Sequence, residues 1–259
     1  EELSYFNTAR FGNVYDAQGT LSGALPVKNL LFFSSFRFNK DDGPYYGKRL
    51  FLPSDSSFVP EERSQWRIQA TGDGELVPMQ WSESLNMHGK LIAKPFNNHK
   101  LTYEYIHEDG ESQGYEHRFK YNPDGRPTYY STGNTHMLHY DYVINKSGFI
   151  NVKFANFSKN YKSYVFASPY DSRYVPDTRF DIGGGPHFYM AGTNMGHSER
   201  TTTNTMFKSD LTYQVNRMNQ IKLGFQSTLH KIEVASYSIR LDRQTDWKPR
   251  PVEVESPAY

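Results

Sequence analysis

The stretch Met206-Phe207-Lys208-Ser209-Asp210-Leu211-Thr212-Tyr213-Gln214-Val215, followed after a short gap by Ile221-Lys222-Leu223-Gly224-Phe225-Gln226-Ser227-Thr228-Leu229-His230, decides the fold. Phe207, Leu211, Tyr213 and Val215 alternate with Lys208, Asp210, Thr212 and Gln214. Ile221, Leu223, Phe225 and Leu229 then alternate with Lys222, Gln226, Thr228 and His230. A period of two sends neighbouring side chains to opposite faces of a strand; a helix would repeat every three to four residues. Only Asn216 to Gln220 lie between them, with the turn expected at Arg217 to Asn219, so the two runs read as a hairpin with one apolar and one polar face.

Working outward, the same alternation returns in Leu85 to Lys94 and from Lys100 to Glu108, with Ile106 as the exception. Weaker versions run through Tyr15 to Leu25, Leu30 to Phe38, His136 to Ile144 and Ile150 to Phe157. The last loses its phase near Asn156, as a bulge would cause. The expectation is an all-β, antiparallel, up-and-down chain of about eight strands. Lys100 to Tyr121 and Asn219 to Leu241 look strand-like for about 20 residues, longer than the five or six typical of globular sheets.

The connections alternate in length. Short turns are expected near 26–29, 95–99, 145–148 and 217–219, with long segments between them at Asn39 to Ser84, His107 to Thr135 and Ser158 to Thr205. Tight turns at one end and long loops at the other are the layout of a transmembrane β-barrel. Phe96, Tyr142, Phe149 and Tyr213 fall near the short turns, and Phe36, Phe38, Tyr103 and Tyr105 nearer the other end, as two aromatic girdles would. Cross-strand packing of good strand formers explains them equally well.

Composition narrows the classes. A net charge of +1 gives no reason to expect a nucleic-acid partner, and the absence of Cys removes disulfides, thiolate metal sites and a Cys nucleophile. Mean hydropathy is −0.75 and the longest apolar run, Leu30 to Phe33, is far too short for a membrane helix. Glu1 is not an initiator Met and the first residues lack the basic and apolar regions of a signal peptide, so the start is expected to be a processed end or a cut.

Several stretches resemble the barrel of TonB-dependent outer-membrane receptors of the type that carries a carboxypeptidase-regulatory-like domain. Gly19-Thr20-Leu21-Ser22-Gly23-Ala24-Leu25-Pro26 with Leu31-Phe32-Phe33-Ser34-Ser35 is similar to their first periplasmic hairpin. Thr71-Gly72-Asp73-Gly74, Val77-Pro78-Met79 and Phe119-Lys120-Tyr121-Asn122-Pro123-Asp124-Gly125 are similar to their external loops. Phe188-Tyr189-Met190-Ala191-Gly192 leading into Asp210-Leu211-Thr212-Tyr213-Gln214-Val215-Asn216 is a further match. The resemblance implies a wall segment of a barrel of about 22 strands in the bacterial outer membrane. Its expected partners are lipid, a plug domain that lies outside this chain and, through it, TonB. A scarce nutrient (siderophore, cobalamin, glycan or peptide) and a surface lipoprotein complete the set.

On this reading residues 1–259 are one partial barrel domain without a plug, whose ends both lie on the external side, and Glu255-Ser256-Pro257-Ala258-Tyr259 is not a closing strand. Two other readings compete: a complete small barrel acting as adhesin or structural protein, and a secreted glycan-binding β-sandwich or an enzyme built on one.

Candidate chemistry is sparse, and no catalytic residue, cofactor or metal is expected. His136 and His139, three apart on a strand, would face opposite sides and could not share a metal. Asp41-Asp42-Gly43 and Asp73-Gly74 read as turns, not as cation loops. Gly183-Gly184-Gly185-Pro186 lacks the Lys and Ser or Thr of a phosphate loop, and Asn145-Lys146-Ser147 matches a glycosylation sequon in a short turn. The polar row Lys90, Lys94, Glu104, Lys153, Lys208, Asp210 and Lys222 is expected to face a lumen. Tyr45, Tyr46, Tyr129, Tyr130, Phe188 and Tyr189 are expected in external loops, either as a capturing surface or as packed loop cores.

Overall fold

The computed structural model describes residues 13–57, 62–176, 178–180, 188–242 and 248–253. It is all-β, with one large antiparallel sheet ordered β1-β2-β5-β6-β7-β8-β11-β12-β13. These strands are β1 (Val14–Ala24), β2 (Leu30–Asp41), β5 (Trp81–Ala93), β6 (His99–Gln113), β7 (Thr128–Asn145), β8 (Gly148–Tyr164), β11 (Gly196–Gln214), β12 (Gln220–Asp242) and β13 (Lys248–Glu253). Two ribbons, β3 (Tyr46–Lys48) with β4 (Leu76–Pro78) and β9 (Thr178–Phe180) with β10 (Phe188–Ala191), sit in the long connections. All eight strands expected from alternation are present in order, and β13 is a ninth that the alternation did not reveal.

Register sorts the side chains. Directly opposed residues share a face, so one row runs Phe32, Leu91, Tyr103, Leu138, Phe154 and Phe207 from β2 to β11. The adjacent row on the other face runs Ile92, Thr102, His139, Lys153, Lys208 and Gln226. On the apolar face Leu21, Phe36, Met87, Leu138, Phe154, Phe207, Leu223, Phe225 and Leu229 are all exposed, Leu229 to 71%. Among the described residues no second sheet of comparable size exists to cover them, and Leu91 and Leu223 are 42% and 63% exposed, which removes the support for a sandwich.

The turns step along the sheet. The row that meets the first turn at Ala24 and Leu31 reaches β12 at Gln226, six residues beyond the start of β12 at Gln220. Six residues at about 3.3 Å over seven spacings of about 4.8 Å tilt the strands by roughly 30° from the perpendicular to the line of turns. Two troughs, of about 720 and 650 Å³, are lined mostly by polar-face residues. The larger draws on β5, β6, β7, β8, β11 and β12, so the sheet curves with its polar face inside. Among the described residues the sheet is not closed: there β1 pairs only with β2, and Ile221 to Leu229 pair only with β11, which counts against a complete small barrel.

Three expectations change. The register of β8 against both neighbours is unbroken through Asn156, and the irregularity lies in β7 between Val143 and Asn145. The phase loss has another cause: Phe157 stands on the polar face and Ser158 and Asn160 on the apolar one, so side-chain contrast stops while backbone pairing continues. β6 ends at Gln113 instead of reaching Tyr121, because 114–127 folds into two turns of 3₁₀ helix, His117–Phe119 and Pro123–Gly125. Phe149 lies opposite Val143 and Thr212 on the polar face, outside an outward girdle.

Candidate functional site

The described residues of the three long connections, 42–80, 114–127 and 165–195, fold on one another into a cap at one end of the sheet. Backbone amides of Lys48 and Phe51 donate to Lys120 and Tyr121 (2.8 and 2.9 Å), Gly192 donates to Pro53 (2.8 Å) and Asn194 to Gly125 (2.7 Å). Met79, Phe119 and Tyr189 form a buried cluster between the loops, with the Phe119 and Tyr189 rings 4.4 Å apart. Tyr46 is 2% exposed, and Gly47 has its place because a Cβ there would meet the Met79 sulfur at 2.4 Å.

Arg126 sits at the seam of cap and sheet. Its Nε donates to the carbonyl of Pro123 (3.2 Å), Nη1 to those of Gly114 (2.9 Å) and Met79, and Nη2 to Gln113 Oε1 (2.9 Å). Burial pulls its guanidinium down to about 10, still charged at neutral pH. Arg49 ties the first loop to the second, donating to Asp124 (2.7 Å) and Asp73 (2.8 Å). Asp171 is held down at about 2 by hydrogen bonds from the Arg173 side chain and amide.

The expected external aromatics divide. Tyr46 and Tyr189 are loop core; Tyr45 stacks on Tyr115 (4.8 Å), and Phe188 packs against Tyr121 (5.0 Å) and His117 (5.2 Å). Tyr129 and Tyr130 are not in a loop: both lie on β7, where neighbouring residues must point to opposite faces. Tyr130 stacks with Tyr164 (4.8 Å) on the apolar-face side, while Tyr129 stands 50% exposed on the polar face.

The expected charged row falls on one face. Register places Lys90, Glu104, Lys153, Lys208, Asp210 and Lys222 on the polar face, and Lys94 is the next residue after β5. Glu104 accepts an ion pair from Lys90 (2.9 Å), and Lys208 pairs with Asp210 (3.4 Å). Lys153 stands directly opposite Lys208 and His139. His136 and His139 do face opposite sides: His136 meets the Tyr103 hydroxyl (2.8 Å) on the apolar face and His139 meets Asp141 (3.0 Å) on the polar one.

Asp41 accepts the Gly43 amide (2.7 Å) and Asp73 the Glu75 amide (3.0 Å), both as turn-closing bonds, and the Ser147 amide does the same with Asn145 (2.8 Å). Gly183 to Pro186 and Glu255 to Tyr259 lie outside the described residues.

Sequence reasoning missed the larger trough. A cross-strand row carries Ser82, Ser112, Tyr129, Ser163, Ser198 and Ser236, and the next row on that face holds Ser84, Ser131, Tyr161 and Arg200. Beneath them Lys159 reaches Glu108 (2.9 Å) across β7, over Gly133, whose missing side chain leaves the path open. Each serine sits in a different strand, so only register brings them together. No family model matches the chain, and no curated protein matches it.

Proposed function

We propose that this chain forms wall and external loops of an outer-membrane β-barrel receptor that takes up a scarce nutrient on energy delivered by TonB through a plug domain. The wall reading is carried by one observation: an exposed apolar band on one face of a curved sheet whose inner face is polar. On β12 the band runs from Ile221 to Leu229 and ends at the Lys231–Glu233 ion pair (2.9 Å). Eight steps of about 3.3 Å give about 26 Å along the strand, and about 23 Å after the roughly 30° tilt. That matches the band of about 25 Å that a barrel shows to lipid.

On neighbouring strands the apolar face gives way to a row of Lys40, Glu83, Glu111, Lys162 and Glu199, where charges return to water. In water, so large a contiguous apolar surface would drive association. Lipid removes that penalty. The polar face then lines the lumen, the cap stands outside the cell, and a surface lipoprotein is a candidate partner above it.

Transport has a separate support, the resemblance of the quoted hairpin and loop stretches to TonB-dependent receptors, because folds of this kind also serve passive pores and adhesins. The test is growth of a deletion strain and its complement on single sources of iron, cobalamin, glycan or peptide, with and without functional TonB. At least one nutrient should require both proteins. Equal growth without TonB on every nutrient that requires this protein would reject energy-coupled uptake.

A further inference from the structure

The larger trough, of about 720 Å³, has a chemistry distinct from the paired charges lower on the same face. Ser82, Ser112, Ser163, Ser198 and Ser236 place one hydroxyl per strand along a single level, with Tyr129 between Ser112 and Ser163. Five strand spacings make that row about 24 Å long. None of these hydroxyls donates to or accepts from another described side chain, so each has a donor and two acceptors to offer.

Charge in the trough is nearly cancelled, with one exception. Lys159 neutralises Glu108 at 2.9 Å, and the remaining acidic lining residues, Glu83, Asp109, Glu111 and Glu199, belong to the opposite face by register. Arg200 remains. Its guanidinium lies over the Tyr161 ring at 5.0 Å and makes no ion pair among the described residues. A planar fork held on an aromatic ring, with its donors unspent, is suited to take a carboxylate through two parallel hydrogen bonds. Tyr129, half exposed between Ser112 and Ser163, offers a flat apolar surface of the kind on which a pyranose ring stacks.

We infer that this trough is a binding site for an acidic oligosaccharide, with Arg200 taking a uronate carboxylate, Tyr129 carrying a sugar ring and the serine row meeting the hydroxyls. A linear pyranose chain advances per sugar by a length close to one strand spacing, so successive sugars meet successive hydroxyls. The inference names a substrate class for the uptake proposed above and rests on that reading for its physiological meaning. Binding itself does not depend on TonB.

The test is calorimetric titration of the full protein in detergent with galacturonate, mannuronate and glucuronate oligomers, each beside its methyl ester of equal length. At least one acid should bind, and its ester, which keeps most hydroxyls and loses the charge, should bind at least tenfold more weakly. Arg200→Gln should remove the difference between acid and ester. Tyr129→Ala should weaken both about equally, and Ser163→Ala with Ser198→Ala, small changes on an exposed surface, should weaken both to a lesser degree. Failure of every acid to bind, equal binding of acid and ester, or unchanged binding by Arg200→Gln would overturn the site. Binding as expected without any TonB-dependent growth would leave the site standing and remove the transport reading instead.

Discussion

The wall and the cap treat apolar side chains in opposite ways. In the cap, Met79, Phe119 and Tyr189 turn inward, away from water, and Tyr46 and Tyr174 are buried to 2% and 1% exposure. In the wall, Phe154, Leu223, Phe225 and Leu229 stand outward with nothing described above them. The proposed membrane wall would give the two regions different solvents. The cap obeys the rule for water, in which burial of apolar surface drives packing. The wall follows the opposite rule, the one that the membrane reading proposed above requires of a sheet whose outer solvent is hydrocarbon.

The difference can be broken most forcefully in the cap. Phe119→Ala removes a ring from the only buried cluster described there and is expected to cost about 3–5 kcal/mol. Hydrogen exchange should rise across 42–80, 114–127 and 165–195 and stay unchanged in the lower halves of β7 and β8. Equal deprotection of those strands would mean that wall and cap are one cooperative unit.

In the wall, Phe154→Lys should destabilise the protein folded into lipid by about 2–4 kcal/mol, the depth-dependent cost of a cation on the lipid side. An effect within about 0.5 kcal/mol, usual for a water-exposed site, would contradict the lipid assignment. Its neighbour on the other face gives the contrast: Lys153→Leu relieves the direct opposition of Lys153 and Lys208. Like charges so placed repel, so stability measured by urea unfolding in lipid should hold steady or rise by roughly 0.2–1 kcal/mol. A loss above 2 kcal/mol would show Lys153 to be held by an anion.

The smallest effect is expected from acid within the first loop of the cap. Asp73 is lowered by the Glu75 amide and by Arg49, despite some opposing desolvation. A depressed carboxyl stabilises the fold fully above its unfolded value of about 3.9, and that contribution is lost as pH falls through the lower folded value. Proteolysis of the cap in its loops should therefore accelerate only below about pH 4. Acceleration near pH 6 would show that this pair does not set the acid response of the cap.

Most of the wall was legible in sequence because alternation is local: Ile221 to Leu229 reads correctly with no knowledge of its neighbours. Legibility failed where side-chain contrast fails. The first half of β11, with Ser198, Thr201, Thr202, Thr203 and Asn204, is polar on both faces and is held by backbone pairing and by polar side-chain bonds such as Asn160 to Glu199 and Thr201 (both 2.8 Å), so alternation does not separate it from the long segment Ser158 to Thr205. The start of β7 was lost the same way, which put Tyr129 and Tyr130 in a loop and joined two residues that face apart. The cap was illegible for a different reason. Asn122 donates to the Gly192 carbonyl from 70 positions away, and no spacing announces such a contact. The trough combines both difficulties: its serines are common residues on separate strands, and their shared level exists only in the register.

The central claim is that the apolar face meets lipid and the polar face meets water. Single spin labels placed in turn at each position from Ile221 to His230, with the protein in lipid vesicles, report it through their collisions with oxygen and with a water-soluble nickel chelate. Oxygen contact should peak at 221, 223, 225, 227 and 229, and nickel contact at the positions between, with the two profiles in antiphase at a period of two residues. Profiles that rise and fall together, or nickel contact as strong at Leu223 and Phe225 as at Lys222, would contradict a membrane wall.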